Sequence, residues 1–148
     1  MKQISYVIQF RGTAGPKEGV EGVLSASTRG SASRISTAVD DGAVDATIEA
    51  IAGNSVSFES DVFPNEDGSF TESGTIDFGG GNSFTFSTRG TGAMGPSADS
   101  NLTHGGICWQ VDSGTGIFDG ATGIITSNFT VSGSGGVVDN QWGVIFLK

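Results

Sequence analysis

The chain contains a single cysteine, Cys108, and a single histidine, His104, among its 148 residues. One cysteine excludes a disulfide within the chain. One histidine means that carboxylates would have to supply most of the ligands of any metal site. A Cys–His nucleophilic pair would require the chain to fold back between the two residues, and an inert, buried cysteine is the alternative. We therefore expect no metal ion.

Basic residues are also scarce. Seven Lys and Arg residues stand against 16 Asp and Glu residues, which gives a formal net charge of −9. A negative charge opposes binding to a phosphate backbone, and no basic stripe with interleaved aromatic residues runs along the chain. The composition therefore excludes nucleic acid as an expected partner.

Long apolar runs are missing as well. No stretch approaches the roughly 18 residues that indicate a membrane-spanning helix. The first eleven residues show neither the charged start and apolar run of a secretory signal nor a cleavage site. These absences predict a cytoplasmic protein that does not use the membrane as a partner.

Glycine, serine and threonine are abundant instead. The 25 glycines are about twice the share of an average protein, and only 3 prolines are present. This composition is typical of many short strands joined by turns. A length of 148 residues fits one domain, which we expect to span residues 1–148.

Alternation of apolar and polar residues predicts about ten strands and no sustained helix. In the first strand Ile4, Tyr6, Ile8 and Phe10 share one face. Turns are expected at Arg29-Gly30, after Asp40 and at 53–54, and a loop is expected over 90–103. The predicted strands cover residues 3–11, 20–28, 32–39, 43–51, 56–63, 69–78, 84–88, 105–112, 122–132 and 137–147. The sequence therefore predicts an all-β fold, a single antiparallel and mostly up-and-down β-barrel of about 8–10 strands, because closure removes exposed sheet edges.

One motif resembles a known family. The segment GTGIFDGATG, residues 114–123, is similar to the GTG-x-F-x-x-A-x-G signature of the allene oxide cyclase and dirigent-like β-barrel superfamily. Two strand-like segments, ITSNFTVSG and NQWGVIFLK, follow it as they do in that family. The resemblance covers the last third of the chain and implies a barrel in which the glycines form a corner and Phe118 plugs one end. The resemblance also implies a dimer or trimer. The plant members' secretory leader and disulfide are absent, which favours a cytoplasmic relative of the bacterial type.

Candidate catalytic residues come from the charged residues on predicted strands. A carboxyl group that faces the barrel interior beside an arginine would have a shifted pKa and could act as a general acid or base. Because strand residues alternate, an outward, solvated position is the alternative for each of them. The pool consists of Arg11, Arg29, Arg34, Arg89, Asp45, Glu49, Glu59, Asp61, Glu72 and Asp77. From it and the lone histidine we select Glu59, Asp61, His104 and Arg89 as catalytic candidates.

Aromatic residues provide the candidate substrate contacts, because a barrel of this size can hold one small apolar ligand. The candidates are Tyr6, Phe86, Trp109 and Trp142. The resemblance implies a cyclase or isomerase that folds a hydrophobic polyketide-, terpenoid- or fatty-acid-derived molecule inside the barrel without a cofactor. The alternative is a non-catalytic barrel that binds a small ligand or is purely structural. An open apolar cavity with an ionisable group inside it favours the first hypothesis, and a fully packed interior favours the second.

Overall fold

The computed structural model of the protein describes residues 1–148, apart from the side chain of Asn54. The described chain is almost entirely strand, and its single helical element is one 3₁₀ turn at Gly116–Phe118. No helix in the described part of the chain is long and apolar enough to cross a membrane. The strands are β1 (Lys2–Pro16), β2 (Leu24–Asp40), β3 (Ala43–Pro64), β4 (Ser69–Asp77), β5 (Ser83–Thr88), β6 (Gly92–Pro96), β7 (Leu102–Thr115), β8 (Thr122–Ser132) and β9 (Gly136–Leu147).

All nine strands belong to one antiparallel sheet that closes on itself. The order is β3-β2-β1-β9-β8-β7-β5-β4, and β4 pairs with β3 again. This gives a hydrogen-bonded ring of eight strands in which nearly every strand pairs with its neighbours in sequence. The first and last strands also pair, from Lys2 opposite Leu147 to Thr13 opposite Gly136. The predicted all-β, mostly up-and-down barrel architecture is confirmed.

The ninth strand, β6, occupies the same position in the ring as β5. Both pair with β7 and with β4, β5 toward one end of the barrel and β6 toward the other. Between them Gly90 has a φ of 81°, a left-handed conformation that favours glycine. The two strands are therefore one strand of the barrel, broken at residues 89–91. The loop expected over 90–103 is wrong in its first part, where β6 forms.

The interior is filled with aromatic rings at one end. Phe118, on the 3₁₀ turn, is buried and lies 5.0 Å from Phe78 and 5.1 Å from Phe84, measured between ring centroids. Tyr6 contacts the same group through Phe78, at 5.5 Å. Gly143 lies beneath the Tyr6 ring, where a Cβ would overlap it. We call this the closed end of the barrel.

The hairpin of β2 and β3 extends well beyond the barrel. Residues 33–50 pair only with each other, from Ser33 opposite Ala50 to Asp40 opposite Ala43. The tip is a two-residue turn in which Asp41 and Gly42 both have positive φ, as the right-handed twist of a tight hairpin requires. Every residue from Arg34 to Ala50 is exposed. We call residues 33–50 the arm.

Two turns predicted from glycine are absent. β2 continues through Gly30 and β3 continues through residues 53–54, so two pairs of predicted strands are each one long strand. Gly30 is needed for packing, because a Cβ there would overlap the side chain of Ile8. Gly114 has a similar role, since a Cβ would overlap Phe118.

Candidate active site

A cavity of about 290 Å³ occupies the end of the barrel opposite the aromatic plug. Its floor contains Phe58 and Trp109, whose rings also pack on the buried Phe86 at 5.2 and 4.9 Å. Exposed Pro64 and Met94 lie at its mouth. The remaining apolar wall is formed by Ala14, Leu24, Ala26, Val62, Phe70, Phe129, Val131 and Val137. The volume lies near the lower limit of small-molecule sites, which is about 300 Å³.

Two carboxyl groups interrupt this apolar wall. Glu72 on β4 is 7% exposed, and Asp139 on β9 is 5% exposed. Each faces the interior because strand alternation places it on the same side as buried apolar neighbours, Phe70 for Glu72 and Val137 for Asp139. Buried carboxyl groups are rare, and these two lie in one cavity.

Glu72 is held at its side chain by Ser60 and at its backbone by Thr88, at the break between β5 and β6. Ser60 Oγ donates a 2.5 Å hydrogen bond to Glu72 Oε1. The backbone of Glu72 lies where β5 ends, and there the hydroxyl of Thr88 replaces a strand partner. It accepts from the Glu72 N–H at 2.6 Å and donates to the Glu72 carbonyl oxygen at 2.8 Å. The break between β5 and β6 therefore fixes the position of this acid.

Asp139 is held through both oxygens. Ser127 Oγ donates to Oδ1 at 2.6 Å, and Gln141 Nε2 donates to Oδ2 at 2.7 Å. The Gln141 side chain is 1% exposed and accepts from the Tyr6 hydroxyl at 3.5 Å. A chain of polar contacts thus runs from the closed end of the barrel to the cavity.

Burial changes the proton affinity of both acids. Desolvation raises the pKa of Glu72 to about 7, with a further increase from the charge of Asp139, while the hydrogen bond from Ser60 opposes the change. Desolvation also raises the pKa of Asp139, to about 6, against the hydrogen bonds from Ser127 and Gln141. For Tyr6, burial and then the charge of Asp139 raise the pKa of the phenol, so it stays protonated. Near neutral pH the cavity therefore contains one carboxyl group that is about half protonated and one that is mostly ionised.

Two further polar atoms in the cavity wall lack partners. Trp109 Nε1 and Thr28 Oγ1 are buried without a hydrogen bond to any described residue. The indole N–H lies close enough to Glu72 to lower the pKa of that carboxyl slightly, but it does not form a hydrogen bond of good geometry. An unpaired buried donor costs about 1–3 kcal/mol, so a ligand oxygen that accepts from Trp109 would recover this energy.

The four catalytic candidates from the sequence lie outside this cavity. Glu59 and Asp61 are two positions apart on β3 and share its outer face, where Ser27 donates to Glu59 at 2.7 Å and Lys17 pairs with Asp61 at 2.6 Å. Arg89 lies at the strand break and is exposed, as is His104 on β7. The structure does not bring these four residues together, and none of them lines the cavity.

The four aromatic candidates are divided between three places. Trp109 lines the cavity and Phe86 packs directly behind it. Tyr6 belongs to the closed end and reaches the cavity acids only through Gln141. Trp142 is 60% exposed on the outer face of β9.

Sequence reasoning placed Glu72 only in the wider pool of acids and did not include Asp139. The alternation along β9 is the signal that could have identified Asp139. The odd-numbered residues Val137, Asp139 and Ile145 share one face of the strand, and Ile145 is fully buried. The sequence alone does not say which face of β9 points inward, because the outer face also carries a large apolar residue, Trp142.

No group of three or more His, Cys, Asp or Glu side chains that could hold a metal occurs among the residues the structure describes. The chain matches no protein-family model, no curated protein and no solved structure at a significant level. The cavity and its two buried acids are the structural features that bear on function.

Proposed function

We propose that the protein binds a small hydrophobic molecule in the barrel cavity and isomerises or cyclises it by proton transfer. The observation that carries this proposal is Glu72, a buried carboxyl group with a pKa near neutrality in the wall of an apolar cavity. Such a group is an efficient general acid or base at neutral pH. This mechanism agrees with the resemblance to the allene oxide cyclase-like barrels, but it assigns the chemistry to different residues from those chosen on the sequence.

The ligand that fits is apolar over most of its surface and carries one oxygen acceptor. The wall offers two donors at one place, the Trp109 indole N–H and the protonated Glu72, and both would satisfy a carbonyl, ether or hydroxyl oxygen. Glu72 then donates a proton to this oxygen, and ionised Asp139 accepts a proton from an adjacent carbon, which gives the enol. Return of a proton from Asp139 to a carbon and of the enol hydroxyl proton to Glu72 completes the isomerisation and restores both carboxyl groups, so no co-reactant or cofactor is needed.

Non-catalytic binding is the second candidate function, and one observation favours it. Both oxygens of Asp139 and one oxygen of Glu72 already accept hydrogen bonds within the protein. Groups held in this way can also serve only to orient a bound molecule. Measuring ligand affinity and proton exchange independently separates binding from turnover.

Binding is tested with prodan, a neutral naphthalene ketone whose emission reports the polarity of its surroundings. A Trp142→Phe background leaves Trp109 as the only tryptophan, so its fluorescence reports occupancy of the cavity. Ala26→Leu fills part of the cavity, and Ala93→Leu makes the same change on the exposed outer face of β6. We expect binding to weaken about tenfold or more in Ala26→Leu, a loss of roughly 1.4 kcal/mol, and to stay unchanged in Ala93→Leu. Equal binding by the two variants would place the ligand elsewhere.

Proton transfer is tested on the same bound ketone. In D₂O, an acid–base pair beside the carbonyl accelerates exchange of the neighbouring C–H groups, and mass spectrometry measures the deuterium gained. We expect the protein to accelerate this exchange and Glu72→Gln to slow it about a hundredfold, the scale of general acid–base catalysis, with prodan affinity retained. Binding without acceleration would leave the non-catalytic function as the better description.

A further inference from the structure

The arm presents two unlike faces, neither of which the barrel covers. Residues opposite each other in an antiparallel pair share a face. On one face Ile35 lies opposite Ile48, and Val39 lies opposite Val44. These four side chains are 38–72% exposed. On the other face Arg34 lies opposite Glu49, with polar and small residues between there and the tip.

Such an arm is poorly suited to remain single in water. A lone two-stranded hairpin is marginally stable, and a hairpin with an apolar face and two open edges is a template for pairing with another strand. The outer edge of β2 is open over the whole arm, because β1 pairs with β2 only from Leu24 to Arg29. The outer edge of β3 is open too, because its pairing with β4 begins at Ser57.

The two edges differ in their capacity to pair with themselves. An antiparallel pair of two β2 strands centred on Thr37 sets Arg34 of each copy opposite Asp40 of the other, and Ile35 opposite Val39. Arg34 is available for this, since the only ion pair among the described side chains is between Lys17 and Asp61. The β3 edge of the arm offers no such pair, because residues 43–50 contain Asp45 and Glu49 but no basic residue, so no register of two β3 strands sets opposite charges against each other. Charge complementarity therefore selects the β2 edge.

We propose that the protein forms a symmetric dimer in which the β2 edges of two arms pair antiparallel about Thr37. The four strands then form one sheet, and one of its faces carries Ile35, Val39, Val44 and Ile48 from both copies, with Thr37 and Ala46 between them. The contact is isologous, so it closes after two copies. The acidic β3 edges, with Asp45 and Glu49, lie on the outside and oppose addition of further strands. This surface is separate from the cavity and does not depend on its function.

Charge reversal and charge exchange test the register directly. Arg34→Asp and Asp40→Arg each place like charges opposite each other at two symmetric positions, and the double variant Arg34→Asp/Asp40→Arg restores opposite charges. Sedimentation equilibrium over a wide concentration range measures the dimer dissociation constant. We expect each single change to weaken the dimer about tenfold or more, since two pairs change together, and the double variant to return close to the parent value. Asp45→Arg on the β3 edge is the matched control and should not weaken the dimer.

Three results would overturn the proposal. The first is a parent protein that stays monomeric throughout the concentration range, as expected if another protein pairs with the arm. The second is a dimer that neither single change weakens, which would place the interface elsewhere. The third is a double variant as weak as the single ones, which would exclude this register. All positions changed are exposed on the arm, and far-UV circular dichroism verifies that the barrel stays folded.

Discussion

Glu72 and Asp139 make the stability of the protein depend on pH. Their pKa values in the folded chain are about 7 and about 6, above the ordinary 4.5 and 3.8. Between about pH 4 and 7 the folded state therefore binds more protons than the unfolded state, and the free energy of unfolding decreases as the pH rises through this window. A shift of two units or more corresponds to about 3 kcal/mol for each group. We expect the thermal midpoint, followed by circular dichroism, to be higher at pH 5 than at pH 8.

Glu72→Gln identifies the group responsible. Glutamine keeps an oxygen that can accept from Ser60, and it has no charge to desolvate, so the variant should lose about half of the pH dependence and be more stable than the parent at pH 8. Glu59→Gln makes the same change at an exposed acid on β3 and should leave the pH dependence unaltered. A parent midpoint that rises from pH 5 to pH 8 would contradict the assignment of raised pKa values to the two cavity acids.

The residues of the cavity were only partly predictable from the sequence. Trp109 was predicted as a substrate contact because a large aromatic residue on a barrel strand is expected to face inward, and it does line the cavity. Glu59 and Asp61 lie on a strand whose exposed and buried residues alternate clearly. The two acids share the outer face with Ser57 and Phe63, whereas Phe58 is buried on the inner face. Because both faces of the strand carry apolar residues, the alternation identifies a strand but does not say which face points into the barrel.

The break between β5 and β6 holds the backbone of Glu72 in place through Thr88. Thr88→Val removes the hydroxyl that bonds both backbone groups of Glu72 while keeping the shape of the side chain. These groups then lack a partner, so we expect a loss of about 1–3 kcal/mol in unfolding free energy, measured by urea denaturation. Thr85→Val is the control in the same strand. Its hydroxyl meets that of Ser113 at the surface, at 2.8 Å, and its loss should cost well below ~1 kcal/mol. Equal losses in the two variants would mean that Thr88 does not hold Glu72.

Strand boundaries were predicted well where turns need positive φ and poorly where glycine serves packing. The turn at Asp41-Gly42 and the strand over 122–132 agree with the structure. Gly30 was interpreted as a turn, but it allows β2 to pass close to Ile8. A single sequence does not distinguish a glycine that turns the chain from one that admits a neighbouring side chain, because both need only the absence of a Cβ.

Closure of the ring depends on the pairing of β1 with β9. Lys2 lies opposite Leu147, so the two ends of the chain are adjacent. If β5 and β6 are counted as one strand, every pairing in the ring except β1–β9 joins strands that are consecutive in the chain. A short loop between Lys148 and Met1 would turn the β1–β9 pairing into a hairpin as well. The barrel should then tolerate a new pair of termini at any exposed tip.

A circular permutant tests this. An Asn-Gly insertion joins Lys148 to Met1, and the new termini lie between Asp41 and Gly42, at the tip of the exposed arm. We expect a far-UV spectrum and a thermal midpoint close to those of the parent, because no barrel pairing is cut. Prodan binding should persist while dimerisation is lost, since the cavity belongs to the ring and the interface belongs to the intact arm.

Deletion of residues 136–148 is the comparison, and it should abolish cooperative unfolding because β1 and β8 are both left with open edges. A permutant that unfolds like the deletion would show that the barrel needs the continuous hairpin of β2 and β3.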